Sequence, residues 1–218
     1  LRRIGNLNQR CSFIAYVLRW GGDDTVIYAS TAALGFVAVL DDHPAGDAVA
    51  LTRWREHRAE YACPRAPEWQ TWCANDGVGQ TQTAFADFVE SRLEDMVKAD
   101  GCAAPLDVLQ MARQLTIRTK GTFQREINPT TGDSILVNKS ETDTGSTVIP
   151  RAFAIAIPVF EGGERYQIEA RVRFGFVDGS PRFTYGLHRR KEIERDAFNF
   201  VRRKVEGATG RLVLAGTP

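Results

Sequence analysis

Residues 150–190 read PRAFAIAIPVFEGGERYQIEARVRFGFVDGSPRFTYGLHRR and predict three consecutive β-strands joined by two glycine-bearing turns. The first strand alternates large apolar side chains with alanines, a pattern typical of a central strand that is covered on both faces. The second strand places Gln167, Glu169, Arg171 and Arg173 between apolar residues. Strict alternation predicts one face on a core and one in solvent. This antiparallel meander therefore determines the architecture.

The rest of the chain adds helices and further strands around the meander. Apolar periodicity predicts helices over 8–20, 81–98, 105–114 and 191–206, with Thr81 as an N-cap. Strands are predicted over 25–29, 34–40, 49–63, 116–127, 133–142 and 212–215, and a helical turn with two buried tryptophans over 67–72. We therefore expect a single α+β domain, 1–218, in which the meander and an N-terminal sheet pack against about three main helices. A subdivision into 1–101 and 102–218 is the alternative.

The composition is that of an ordinary globular protein, with 43% hydrophobic and 25% charged residues in 218. No apolar run approaches the roughly 18 residues that a membrane span needs, so we expect no membrane partner. The cysteines Cys11, Cys63, Cys73 and Cys102 form no C-x-x-C pair, which argues against a zinc ribbon or a thioredoxin-like site. Reduced thiols in a cytosol are favoured over a bridge between Cys63 and Cys73.

The best candidate for enzymatic chemistry is a set of acidic and histidine residues: Asp41, Asp42, His43, Glu56 and His57. Carboxylates at a strand end, opposite a carboxylate and a base on the next strand, could hold a divalent metal, as in a metal-dependent nuclease. An arginine stands where such a nuclease core has a lysine, and arginine cannot lose its proton at working pH. A structural role at the strand end is therefore favoured over a metal site.

Other catalytic motifs are absent from the sequence. There is no G-x-S-x-G and no G-x-x-x-x-G-K-[ST], and Gly77-Val78-Gly79 lacks the third glycine of a dinucleotide loop. We therefore expect no cofactor, and the sequence favours a non-enzymatic protein.

A basic surface is the second candidate site. Residues 1–100 hold 10 basic and 14 acidic side chains, whereas residues 101–218 hold 18 and 13. The candidate binding residues are Arg171, Arg173, Arg182, His188, Arg189, Arg190, Arg202 and Arg203. Arginines beside aromatic residues suit contacts with phosphates and stacking on bases. The candidate partners are single-stranded or duplex DNA and a host or phage protein complex, and a solvated face without a partner is the third interpretation. Exposed strand edges near Phe160 and Phe176 would also allow an oligomer.

Short stretches along nearly the whole chain resemble the YfdQ-like family of uncharacterised phage and prophage proteins. The stretches that carry the resemblance are 12–17, 39–43, 57–59, 67–72, 82, 85–90, 157–163 and 196–198. Where that family has Asp-Tyr-His after the second strand, this chain has Asp41-Asp42-His43.

The resemblance implies a biological setting rather than a mechanism. Proteins of that family are similar to phage-encoded accessory proteins, often found among early genes for recombination or host takeover, and none of their catalytic residues can be carried over. We therefore expect a non-enzymatic accessory protein of a phage or prophage that acts by binding in the bacterial cytoplasm, with nucleic acid in recombination or replication as one partner. An inhibitor of a host defence complex and a metal-dependent nuclease are the alternatives.

Overall fold

The computed structural model describes residues 3–7, 9–42, 55–114, 122–127, 134–139, 146–177 and 180–218. The strands are β1 (Arg3–Asn6), β2 (Val26–Ser30), β3 (Gly35–Val39), β4 (His57–Ala62), β5 (Met96–Val97), β6 (Thr122–Ile127), β7 (Ser134–Lys139), β8 (Ser146–Ile149), β9 (Ala152–Pro158), β10 (Arg165–Val177), β11 (Ser180–Leu187) and β12 (Val213–Ala215). The helices are α1 (Arg10–Trp20), α2 (Pro67–Ala74), α3 (Gln82–Ser91), α4 (Pro105–Gln114) and α5 (Arg190–Thr209). The predicted α+β class is confirmed. None of the helices that the structure describes combines the length and the apolar character that a membrane span requires.

The chain divides into two compact units, and neither of them is a continuous stretch. The first unit comprises Leu1–Ala66, Val159–Glu164 and Lys191–Pro218. The second comprises Pro67–Pro158 and Arg165–Arg190. The five-stranded sheet lies within the first unit, and the other two sheets lie within the second.

The sheet of the first unit has the strand order β1-β4-β3-β2-β12. Its outer pairs, β1 with β4 and β12 with β2, are parallel, whereas the inner pairs are antiparallel. Aromatic rings from two helices pack on this sheet: the ring of Phe13 in α1 lies 5.9 Å from that of Tyr61, and the ring of Phe198 in α5 lies 5.2 Å from that of Phe36. The predicted last edge strand is confirmed as β12.

Strand β4 begins later than predicted. Arg55 has a φ of 54°, in the left-handed region that residues with a side chain rarely adopt, and an extended strand cannot run through that conformation. Pairing with β3 therefore starts after Arg55, and residues 49–54 of the predicted strand lie outside the described residues.

The four-stranded sheet of the second unit contains the meander, and its strand order is β11-β10-β9-β5. All of its pairs are antiparallel, which confirms the predicted topology. The residues of β9 from Ala152 to Ile155 are all buried, as expected of a strand covered on both faces. The predicted burial of both tryptophans in α2 is confirmed as well, since Trp69 and Trp72 are at most 1% exposed.

The predicted helix over 81–98 is too long. Thr81 caps α3 as expected, because its hydroxyl accepts a hydrogen bond from the Ala84 amide at 3.2 Å. The helix ends at Ser91, however, and Leu93–Asp95 forms a turn of 3-10 helix that leads into β5. Strand β5 pairs with β9, and this long-range pairing overrides the local helical periodicity.

The described residues 122–127, 134–139 and 146–149 form a three-stranded antiparallel sheet in the order β6-β7-β8. The first two strands match the predicted hairpin. The third was not predicted, because the segment 142–147 that precedes the meander is rich in the polar residues typical of loops.

Candidate functional site

One face of the meander gathers basic side chains from neighbouring strands. Arg171 lies opposite Gly186, Arg173 lies opposite Thr184, and Gly175 lies opposite Arg182. Directly paired residues share a face of the sheet, and so do residues two apart along a strand. The arginine face, as we call it, consists of Glu169, Arg171, Arg173, Arg182 and His188.

The face opposite is the core side of the sheet. Ile168, Ala170 and Phe174 of β10 are buried there, and Phe183 and Tyr185 of β11 join them. The alternation in the sequence thus separates the two sides: every second residue builds the core, and the residues between them face away from it.

Glu169, Arg171 and His188 form a polar cluster at the centre of the arginine face. The Arg171 Nε donates to the Glu169 Oε1 at 2.8 Å, and the Arg171 Nη2 lies 3.3 Å from the His188 Nε2. The pKa of Glu169 is lowered below its usual value, first by the hydrogen bond from Arg171 and then by the charges of Arg171, His188 and Arg151. Glu169 therefore stays ionised and offsets part of the positive charge.

The net charge of the arginine face is nevertheless positive. Among the residues of β10 and β11 on this face, Arg171, Arg173 and Arg182 stand against one carboxylate, that of Glu169. Arg173 is exposed, and the side chain of Arg171 retains 43% of its accessible surface despite its ion pair. At a rise of about 3.3 Å per residue, the row from Arg171 to the level of Arg182 is about 13 Å long. An extended chain of negative charges could lie along this row.

Strand β10 ends in apolar residues that the core does not cover. Phe176 is 43% exposed and Val177 is 54% exposed. The Phe176 ring meets the ring of Phe174 edge to face at 5.3 Å, which holds it at the end of the sheet. Phe176 thus shares the side of β10 on which Phe174 lies, and its exposed ring is on the opposite side of the sheet from the arginine face.

The remaining predicted basic residues lie elsewhere. Arg190 pairs with Asp76, its Nη1 lying 3.0 Å from the Oδ2, and the Asp76 Oδ1 accepts the Leu187 amide. Arg190 thus fixes the start of α5, and Arg189 before it has a φ of 55° in the connecting turn. Arg202 and Arg203 lie further along α5, in the first unit.

The sequence prediction of the basic surface did not include Arg151. This residue directly precedes β9, and its charge acts on Glu169 of the neighbouring strand. Register does not place it on the arginine face: Ala152 lies opposite Arg171, and the Arg151 carbonyl accepts a hydrogen bond from the Val172 amide at the next level of the sheet.

The acidic set does not come together as one cluster. The Asp41 carboxylate accepts the backbone amides of Glu56 at 3.2 Å and of His57 at 3.0 Å. The Glu56 side chain is exposed, and the His57 Nε2 lies 3.0 Å from the Tyr16 hydroxyl. Asp41 therefore ties the end of β3 to the start of β4.

Asp42 lies in a separate and nearly buried set of contacts. It accepts a hydrogen bond from the Tyr28 hydroxyl at 3.0 Å and forms an ion pair with Arg55 at 2.9 Å. Burial and the neighbouring Asp42 raise the pKa of Tyr28. Among the residues that the structure describes, no group of three or more acidic, histidine or cysteine residues is arranged to hold a metal ion, and His43 lies outside those residues.

Comparison with known families gives one match. A family model described as an uncharacterized conserved protein, DUF2303, matches residues 2–218. The chain belongs to this family. No curated protein and no solved structure matches it. Membership of DUF2303 thus covers nearly the whole chain, and the relation to YfdQ-like phage proteins stays a prediction.

Proposed function

We propose that this DUF2303 protein acts by binding single-stranded nucleic acid on the arginine face. The observation that supports the proposal is the shared face of Arg171, Arg173 and Arg182, on which positive charge exceeds negative charge. Phosphates are bound by such arginines through charge-assisted hydrogen bonds. Binding that depends on the backbone charge needs no catalytic residue, so the proposal describes a non-enzymatic protein.

A single strand suits this surface better than a duplex. The row of arginines runs along an extended strand, so it offers the backbone of a single strand a basic track. A basic track along the backbone is part of how proteins bind single strands without sequence preference. Gly175, opposite Arg182, leaves the backbone of the sheet open to a ligand.

The setting that we propose is recombination or replication of a phage or prophage in the cytoplasm of a bacterial host. The support for this setting is the resemblance of the sequence to YfdQ-like proteins.

The experiment is fluorescence anisotropy with a labelled single-stranded oligonucleotide of about 20 nucleotides at low salt, long enough to cover a binding site of this kind. We expect saturable binding that weakens by about tenfold or more in Arg171→Ala with Arg173→Ala, because two charge-assisted contacts are lost. The matched control is Lys191→Ala with Arg195→Ala, which removes the same charge from exposed positions of α5. We expect the control to bind like the wild type, and we expect a duplex of the same sequence to bind more weakly.

Absence of binding at low salt would overturn the proposal, and so would equal losses in the two double variants. If the oligonucleotide is not bound and the arginine face instead captures a defined host defence complex, the inhibitor hypothesis replaces it. A pull-down from host lysate with the wild type and the Arg171/Arg173 variant distinguishes that outcome.

A further inference from the structure

The first unit contains a cavity of about 290 Å³, whereas the arginine face belongs to the second unit. Its walls come from the first turn of α1, the end of β4 and the turn that follows Phe160. The lining residues are Gln9, Arg10, Cys11, Tyr61, Pro64, Glu161 and Gly162. A volume near 300 Å³ is at the lower end of the range for ligand sites, so the cavity has room for a small molecule only.

Backbone hydrogen bonds hold the turn against β4. The Glu161 amide donates to the Pro64 carbonyl at 2.9 Å, and the Gly163 amide donates to the Phe160 carbonyl at 2.9 Å. Gly162 has a φ of 63°, a conformation that glycine adopts without strain. The wall that carries Glu161 is thus built by the fold.

Two opposite charges line this cavity without neutralising each other. Within the described residues, neither the Arg10 guanidinium nor the Glu161 carboxylate forms a hydrogen bond or an ion pair. Both nevertheless act on the Tyr61 hydroxyl: the charge of Arg10 lowers its pKa, and the charge of Glu161 raises it. A cation and an anion therefore flank one hydroxyl, and both remain available to a ligand.

Tyr61 supplies the aromatic part of the cavity lining. The residue is 3% exposed and lies close to the buried Cys63 thiol, and burial raises the pKa of both groups. The neutral hydroxyl keeps an oxygen that can accept a hydrogen bond, whereas its ring and Pro64 supply apolar surface. The site thus combines one positive, one negative and one apolar contact.

We propose that this cavity binds a small zwitterion of the amino acid class. Its carboxylate pairs with Arg10, its ammonium group pairs with Glu161, and a short apolar body packs on Tyr61 and Pro64. A simple anion would meet the repulsion of Glu161, and a simple cation would meet that of Arg10. Only a ligand that carries both charges satisfies both walls.

The test uses L-leucine as the probe and the wild-type protein labelled with ¹⁵N. We expect saturable shifts of the Glu161 and Gly162 amide signals. The two half-probes are 4-methylpentanoate, which lacks the ammonium group, and 3-methylbutylamine, which lacks the carboxylate. Each should bind about tenfold more weakly or worse, because one charge-assisted contact is lost. No saturable shift with L-leucine, or a half-probe that binds as tightly as L-leucine, would overturn the proposal.

Variants test whether Arg10 and Glu161 are the residues that bind the two charges of the ligand. Arg10→Gln and Glu161→Gln should each weaken L-leucine binding by about tenfold, whereas Arg19→Gln should leave it unchanged. Arg19 is the matched control, because it is exposed at the other end of α1. Equal losses in all three variants would contradict the assignment. The half-probe comparison needs only the wild type, so it decides the proposal even if a variant fails to fold.

Discussion

The hydrogen bond between Trp72 and Asp95 is the contact that we expect to matter most for the stability of the second unit. The Trp72 Nε1–H donates to the Asp95 Oδ2 at 2.8 Å, and both residues are buried. The Trp72 ring also contacts Phe88, with ring centroids 4.9 Å apart, and Tyr185, at 5.4 Å. Replacement of Asp95 by alanine leaves the buried indole N–H without its acceptor.

The size of the effect follows from the burial of the donor. A hydrogen bond to a charged group contributes about 1.5–3 kcal/mol, and an unsatisfied buried donor costs about 1–3 kcal/mol. Asp95→Ala should therefore lower the free energy of unfolding by about 2–3 kcal/mol. For a protein of this length each kcal/mol lowers Tm by about 2–4 °C, so the expected loss is about 4–12 °C.

Asp95→Asn is the matched control, because its amide oxygen can still accept the indole proton. We expect it to lose less than half as much as Asp95→Ala. Thermal unfolding followed by tryptophan fluorescence measures both variants. Equal losses in the two variants, or no loss in Asp95→Ala, would refute the reasoning that the indole hydrogen bond stabilises this core.

Three further predictions concern other contacts. Asp41→Ala should lower the free energy of unfolding by about 2 kcal/mol in metal-free buffer. Asp41→Asn should lower it by about half as much, because the amide oxygen can accept only one of the two backbone hydrogen bonds. An unchanged urea midpoint for Asp41→Ala would contradict the structural role of Asp41. Arg171→Ala should raise the pKa of Glu169 towards its ordinary value in a ¹³C carboxyl titration. The lowered folded-state pKa stabilises the protein above the unfolded pKa, and this contribution is lost as pH falls through the folded value, so wild type and variant should converge in acid. Burial raises the pKa of Cys63 to about 12, so iodoacetamide near pH 8 should alkylate the exposed Cys11 and spare Cys63 until the protein unfolds, as mass spectrometry of the labelled peptides would show.

The meander could be predicted because its alternation is strict over a long stretch. Ile168, Ala170 and Phe174 point to the core as their period of two requires, and the register of β10 with β11 then places Arg171 and Arg173 on the other face. The arginine face can therefore be predicted from local sequence, since each strand of the meander pairs with the next along the chain.

Features that depend on distant pairing could not be predicted. Strand β1 is parallel to β4, and Arg3 pairs with His57 across more than fifty residues. The short β5 is a strand only because Met96 pairs with Ile155, and its own sequence continues the apolar stripe of a helix. A local pattern carries no information on such partners, so the helix that it predicts over 81–98 is too long.

The acidic set illustrates the same limit at a candidate site. Asp41 and Asp42 are adjacent in sequence, yet one binds backbone amides and the other binds Tyr28 and Arg55. Sequence spacing suggested shared ligands for a metal, whereas the structure directs the two carboxylates to different partners.

The salt dependence of oligonucleotide binding tests the central claim most directly. Each phosphate contact with a single strand contributes about −0.7 to the slope of log affinity against log salt. Contacts from Arg171, Arg173 and Arg182 therefore predict a slope of about −2, a loss of about 20-fold between roughly 50 and 200 mM salt. Arg171→Ala with Arg173→Ala should reduce the slope to about −0.7 and the loss to about threefold. The same slope in the wild type and in this variant would contradict binding on the arginine face.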